Sequence, residues 1–347
     1  MHNCCIKFLT DNSKFLTNKI IFADINGVGY EVIMKVLSEQ KIFDGKTIIV
    51  YGSPKAAAYH RKSLALQNFN FNLITNADEA APKRPNIIDC VPGDVKVEAG
   101  ATSQEAGTAA LQALETAVND LRDGKIDLLV TMPINKESVR MVMPEFKSHT
   151  AYLAKVFGTT QHSEMYANEA IRTCYVADTP FVSQVAKSIT KDAVLEKIVA
   201  MNDSLRMDFG CTKPKIAVLA LNSEFGDEEK NTISQAVEEA KSSGFIVSGP
   251  FLSETFFDAA EYTRFDGVIG MYRDQVVGPF KALAFDNSIS YSLGFPKICV
   301  SPALTVNYDQ VDKNITEESP LAMAIFAASD LLEKREQYTE LTKNQLK

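Results

Sequence analysis

The chain has 347 residues, 46% of them hydrophobic and 23% charged, with 17 glycines and 13 prolines. That is an ordinary globular composition, and it excludes collagen-like, disordered and disulfide-scaffold classes. The formal net charge is -8, and no block of Lys or Arg is long enough to track a phosphate backbone, which argues against a nucleic-acid partner. No stretch approaches the roughly 20 apolar residues of a membrane span, so no membrane partner is expected.

Length alone suggests roughly two domains of typical size, with a core large enough to need no metal or disulfide staple. Residues 1–18 hold short apolar pieces such as Cys4-Cys5-Ile6 and Phe8-Leu9, interrupted by Lys7 and too little for a signal-peptide core, and no Arg. Six cysteines (Cys4, Cys5, Cys90, Cys174, Cys211, Cys299) form no C-x-x-C pair and read as idle or buried thiols of a cytoplasmic protein.

In chain order, strand-length apolar runs alternate with helical patterns. Ile20-Ile21-Phe22-Ala23 is expected as a strand, then a glycine turn and a helix through Val32 to Leu37. Thr47 to Tyr51 reads as strand and Ala56 to Leu64 as helix. Ser103 opens a long amphipathic helix that ends before Gly124, and Ile126 to Val130 is a buried strand. Thr190 is an N-cap for a helix reaching about Phe209. Ile216 to Leu221 reads as strand, Glu228 to Lys241 as helix, Gly267 to Gly270 as a short central strand and Pro320 to Leu332 as a closing helix. This alternation implies a parallel sheet covered by helices, hence α/β architecture. A domain boundary is expected near Thr131 to Lys136. Ligands of such sheets sit beyond the carboxyl ends of strands, here after Val130, Val176, Leu221 and Gly270.

Asp24-Ile25-Asn26-Gly27-Val28-Gly29-Tyr30-Glu31 follows a strand and opens a helix. It has two of the three dinucleotide-fingerprint glycines and a carboxylate in the first helical turn, where a pyrophosphate would sit, so a tight glycine turn is the better reading. No nucleophile elbow or Walker loop is present. Of the four histidines, His2 lies in the N-terminal segment, His60 is expected to be solvated beside Arg61 and Lys62, and His162 is expected on a surface turn. His149 precedes Thr150 at a helix start, where two adjacent donors suit an oxyanion or phosphate.

The segments Asp24 to Glu31, Tyr51-Gly52-Ser53-Pro54-Lys55, Pro133-Ile134-Asn135-Lys136, His149-Thr150 and Met271-Tyr272-Arg273-Asp274-Gln275 resemble the 4-hydroxythreonine-4-phosphate dehydrogenase family of pyridoxal phosphate biosynthesis. The resemblance runs from about Lys19 to the last helix. It implies two α/β/α domains around a cleft, in an isocitrate/isopropylmalate dehydrogenase-like architecture. Residues 1–18 become an N-terminal extension, 19–130 with about 285–347 a first domain, and 131–284 a second domain carrying a homodimer interface. It also implies NAD as cofactor and a divalent metal on three histidines.

At those ligand positions the chain carries Asp178, Glu224 and Arg273. Among substrate-binding positions, His149, Thr150 and Lys281 keep the family residue, Ser290 replaces an asparagine and Cys299 an arginine. The cofactor-side loop, Ala303 to Asn307, lacks the family's His-Gly pair. A guanidinium offers no lone pair and does not deprotonate. Two unit charges 4 Å apart at an effective dielectric of 20 interact by about 4 kcal/mol, so Arg273 would oppose a dication by roughly twice that. Losing a Lewis acid costs orders of magnitude in rate, so the divalent metal is expected to be absent and metal-assisted dehydrogenation lost or much reduced. Arg273 is then expected to pair with Asp178, Glu224 or a ligand carboxylate. Three readings stay open: a working dehydrogenase on a small phosphorylated hydroxy acid; a non-catalytic homologue binding a small phosphorylated or carboxylated ligand through His149, Thr150, Lys281 and Arg273; and a structural or regulatory partner of an active paralogue.

Overall fold

The computed structural model describes residues 24–91, 93–160, 162–283 and 288–343, and the backbone of 16–21. In chain order the elements are β1 (Leu16–Ile21), α1 (Gly29–Ser38), β2 (Lys46–Gly52), α2 (Pro54–Ser63), β3 (Asn72–Ile74), β4 (Asn86–Asp89), α3 (Gln104–Arg122), β5 (Leu128–Thr131), α4 (Lys136–Arg140) and α5 (His149–Phe157). There follow β6 (Ser163–Ala167), β7 (Arg172–Ala177), α6 (Val185–Ser188), α7 (Lys191–Met207), β8 (Lys215–Leu219), α8 (Ser234–Ser242), β9 (Ile246–Phe251), α9 (Ser253–Asp258), β10 (Gly267–Tyr272), α10 (Arg273–Leu283), β11 (Ile289–Leu293), β12 (Ile298–Pro302) and α11 (Ser319–Lys343).

The strands form one twelve-stranded sheet in the order β3-β4-β2-β1-β5-β12-β11-β6-β7-β10-β8-β9. The fold is mixed α/β. Its wings are parallel, as the apolar runs imply, but the middle is not: β11 runs antiparallel to both β12 and β6, and β6 antiparallel to β7. The apolar runs of β2, β5, β8 and β10 are buried on both faces, as parallel strands under two helical layers must be. β6 and β11 instead alternate polar and apolar residues.

Helix starts follow the capping residues. Ser53, Ser103, Ser148 and Thr190 each accept the amide three residues on, at 3.1–3.3 Å. Several boundaries differ from the sequence reading. β1 reaches back to Leu16, into the segment read as an extension; its expected end, Phe22 and Ala23, lies outside the described residues, as do Cys4 and Cys5. The helix expected from Glu228 begins with a π-turn, Glu229–Ile233, before α8. The helix opened by Thr190 stops at Met207, just short of Phe209. The last helix continues past Leu332 to Lys343 because its polar end carries good helix formers and Arg335, which reaches a buried partner.

The sheet's two faces are unlike. On one, Val50, Val130, Val300, Tyr291, Met165 and Val218 belong to a single core shared with α1, α7, α8 and α11. On the other, the apolar layer is broken in two. Ile49, Leu129 and Cys299 lie under α3 and α5, while Tyr166, Tyr175 and Leu219 lie with Phe256 of α9 and Phe280 of α10. Strand alternation places Thr131, Ser301, Ser290, Ser292 and Glu164 between those layers. The Thr131 and Ser301 hydroxyls meet at 2.5 Å. This polar strip is the floor of the candidate site. Its wall at α4 depends on Gly107 in α3, where a β-carbon would lie 1.9 Å from the Ser138 carbonyl oxygen.

Candidate functional site

One end of the strip is closed by the start of α5. Ser148 uses its hydroxyl to cap the Ala151 amide, which sets His149 and Thr150 side by side in the first turn of α5. The Thr150 hydroxyl stands 3.4 Å from that of Ser292 on β11. The His149 ring packs edge-on against Phe146, with centroids 6.3 Å apart. Its Nε2 is enclosed and has no hydrogen-bond partner among the described residues. Burial, helped by the Lys136 ammonium, pushes its pKa down to about 4, so the imidazole is neutral near pH 7. A neutral ring with an unused nitrogen, two hydroxyls and a nearby cation can hold an oxyanion or hydroxyl of a small ligand.

The other end is closed by the start of α10. Arg273 donates from Nη2 to the Tyr166 hydroxyl at 3.0 Å, and its guanidinium lies 5.7 Å from the centre of that ring. The Tyr166 hydroxyl donates to Glu164 Oε2 at 2.7 Å, and Ser290 Oγ donates to Glu164 Oε1 at 2.6 Å. Register explains the grouping: Tyr166 lies opposite Ser290 and Glu164 opposite Ser292, all on one face of the β6–β11 pair. The Arg273 side chain is 48% exposed.

Asp178, Glu224 and Arg273 form no hydrogen bond or ion pair with one another. Asp178 follows β7 and is exposed, lining a cavity of about 310 Å³ with His162, Ser148, Tyr152, Lys147 and Lys155. Glu224 is exposed on the loop after β8. That loop is fixed from beneath by the buried Glu229, which accepts the amides of Leu221, Asn222 and Gly226 at 2.8–2.9 Å. Burial opposes ionisation of Glu229, but those amides win and hold its pKa below the usual range. Among the described residues no three His, Cys, Asp or Glu side chains come together as a metal cage. Two separated carboxylates and a permanent cation are a donor set that does not fit a divalent ion. Lys281 is exposed near the end of α10 and bonds to no described residue.

One histidine expectation is corrected. His60 is not solvated: it is 1% exposed, meets the Ile25 carbonyl through Nε2 at 2.8 Å and stacks on Tyr30, because that side of α2 packs on α1. His162 stands on the connection into β6, as a turn residue would. It is nevertheless partly buried, with its ring 6.0 Å from that of Phe295. The Asp24–Glu31 segment is a tight turn, as read. Val28 donates to the Val306 carbonyl at 3.2 Å, Asn26 bridges to Ala101, Ser103 and Glu98, and a β-carbon on Gly27 would press on Val306 at 3.0 Å. The cofactor-side loop Ala303–Asn307 thus packs on that turn, and the Val28 amide at the helix start is spent on the Val306 carbonyl.

Sequence reasoning missed Glu164, Tyr166, Ser292 and Lys136 as members of the site. The signal available was the alternation in Ser163-Glu164-Met165-Tyr166-Ala167 and Ile289-Ser290-Tyr291-Ser292-Leu293, two half-polar strands.

Residues 44–328 match the family model described as pyridoxal phosphate biosynthetic protein PdxA. A 4-hydroxythreonine-4-phosphate dehydrogenase from Bacteroides thetaiotaomicron is 40% identical over 320 residues, covering 90% of this chain and 88% of its own. One from Sulfurihydrogenibium is 30% identical, covering 88% of this chain and 95% of its own. The crystal structure of a 4-hydroxythreonine-4-phosphate dehydrogenase from Burkholderia phymatum superposes with a TM-score of 0.75 at 27% identity, covering 91% of this chain and 98% of that one. The chain belongs to the PdxA family of pyridoxal phosphate biosynthetic proteins.

Proposed function

We propose that this chain is a 4-hydroxythreonine-4-phosphate dehydrogenase-like protein that binds a small phosphorylated or carboxylated ligand in its cleft, and that metal-assisted hydride transfer to NAD is lost or much reduced. The ligand rests on His149, Thr150 and Arg273, with Lys281 contributing charge. The observation that carries this reading is the set of Arg273 partners. At a position where the family resemblance puts an electron-pair donor, a guanidinium is tied to Tyr166 and stands apart from Asp178 and Glu224.

NAD in the family manner is weakly supported here, since the Ala303–Asn307 loop lacks the His-Gly pair and spends its Val306 carbonyl on Val28. No helix among the described residues is long and apolar enough to cross a membrane. A cytoplasmic homodimer is the assembly the reading carries. The test is NADH formation from 4-hydroxythreonine 4-phosphate and NAD with zinc, magnesium or manganese, beside metal analysis of the purified protein. Turnover at background level is expected; brisk, chelator-sensitive NADH formation overturns the proposal. A thermal shift with phosphorylated acids separates a ligand-binding protein from a purely structural partner.

A further inference from the structure

If the cleft takes a small anionic ligand, as proposed above, one of its groups is already shaped to read an acid. A guanidinium has five N–H donors. Arg273 spends one on Tyr166 at 3.0 Å and reaches Asp274 with another at 3.4 Å. The rest of the fork meets no described residue, and the side chain is 48% exposed.

The Tyr166 proton is committed to Glu164, so Arg273 meets the lone pair of the tyrosine hydroxyl. Glu164 takes its second hydrogen bond from Ser290, and every donor in the chain points toward that one carboxylate. The phenol also stands between Arg273 and Glu164, so among the described residues Arg273 touches no carboxylate but that of the exposed Asp274, at 3.4 Å. A cation fixed at one corner and against a ring has little freedom left to lose on binding a planar, two-oxygen partner.

The same strand face leads to the other end of the cleft. Tyr166 pairs with Ser290, and Glu164 with Ser292, whose hydroxyl stands beside Thr150. The two residue pairs are one pleat repeat apart, about 7 Å along the strand, so Arg273 and Thr150 stand at neighbouring pairs of one strand face. We propose that Arg273 is the carboxylate fork of the ligand site, that Tyr166, Glu164 and Ser290 are positioning residues which aim it, and that the ligand is a small hydroxy acid whose other polar end reaches His149 and Thr150.

The test is calorimetric titration of the full chain with three probes: 4-hydroxythreonine 4-phosphate, the same compound with its carboxylate converted to the primary amide, and inorganic phosphate. The native protein is expected to bind the acid at least about tenfold more tightly than the amide. Arg273→Lys keeps the charge and loses the fork, so acid binding falls about tenfold, amide binding stays and the preference nearly disappears. Tyr166→Phe lowers the acid-over-amide ratio about threefold or more, with the melting temperature held. The double variant loses no more than Arg273→Lys alone, a pattern that lost packing would not produce. Equal native binding of acid and amide, or an undiminished preference in Arg273→Lys, overturns the assignment while leaving a ligand-binding cleft. An undiminished preference in Tyr166→Phe removes the positioning role. No binding of any of the three probes overturns the ligand reading itself, and the fork with it.

Discussion

The β6–β11 pair carries an arginine, a tyrosine and a carboxylate on each of its faces. On the apolar face, Tyr291 donates to Asp208 at 2.6 Å, and Arg335 grips the same carboxylate through Nε and Nη2 at 2.5 and 2.9 Å. The remaining Arg335 nitrogen meets the Phe295 carbonyl at 3.1 Å. Asp208 is fully buried and the Arg335 side chain is 15% exposed. On the polar face, Arg273 reaches Glu164 only through Tyr166, meets the exposed Asp274 at 3.4 Å and keeps about half its side chain in water. The first set uses every nitrogen of its guanidinium inside the fold and ties α11, the end of α7 and β11 together. The second leaves donors over. The same three residue types make a strut in one place and a receptor in the other, and what separates them is unused hydrogen-bonding capacity.

The largest effect that follows is on the strut. Asp208→Ala leaves Arg335 largely buried without its counter-charge, which costs about 3–5 kcal/mol. Urea unfolding should show a lower midpoint with an unchanged slope. A loss under about 1 kcal/mol would mean the buried set is no more structural than the exposed one.

Protonation probes the far end of the polar strip. His149 titrates near pH 4 in the folded chain, against about 6.5 when unfolded. Above pH 6.5 both states are neutral and stability does not depend on this group. As pH falls from 6.5 toward 4 the unfolded state takes up a proton that the folded state refuses, so stability drops, by at most about 3–4 kcal/mol. Below pH 4 both states are protonated and the loss stops growing. In His149→Gln this dependence should be missing. The measurement is the native-minus-variant stability at several pH values; His60, whose pKa burial also lowers, is common to both proteins and cancels. A difference that stays flat between pH 6.5 and 4 would place His149 in contact with water.

These two regions also show how far the sequence could be read. The capping residues Ser103 and Thr190 and the apolar runs of β2, β5, β8 and β10 sit where the sequence reading placed them, because parallel strands under two layers must be apolar throughout. β6 and β11 were not legible by that signal. Glu164, Tyr166, Ser290 and Ser292 break the run, and they do so because they line the site, where local pattern and function pull apart. The family resemblance found Arg273 and Ser290 by position, yet nothing local in the sequence showed that Tyr166 and Glu164 join them across strands far apart in the chain. Arg335 was hidden for a different reason. It lies beyond the apolar part of the last helix, where a charged residue reads as solvated, and only the packed structure brings it to Asp208.

One substitution made on both faces tests the contrast at lower cost to the fold. Tyr291→Phe removes a hydroxyl that donates to a buried, charged acceptor, so a loss of about 1.5–3 kcal/mol is expected. Arg335 still holds both Asp208 oxygens.

The smallest expected effect is the sharpest. Tyr166→Phe removes a hydroxyl that likewise sits between a guanidinium and a carboxylate, but here both charges can turn to water. Its cost to stability should stay below about 1 kcal/mol, as for other exposed ion pairs. The check is a pair of melts, Tyr166→Phe beside Tyr291→Phe, under one buffer condition. If Tyr166→Phe proves as destabilising as its counterpart, the polar-face set is a second strut, its spare donors are incidental, and the case for a ligand at Arg273 goes with them. If only Tyr291→Phe melts early, the unused donors of Arg273 are left without a structural explanation, and ligand binding becomes the measurement that decides their role.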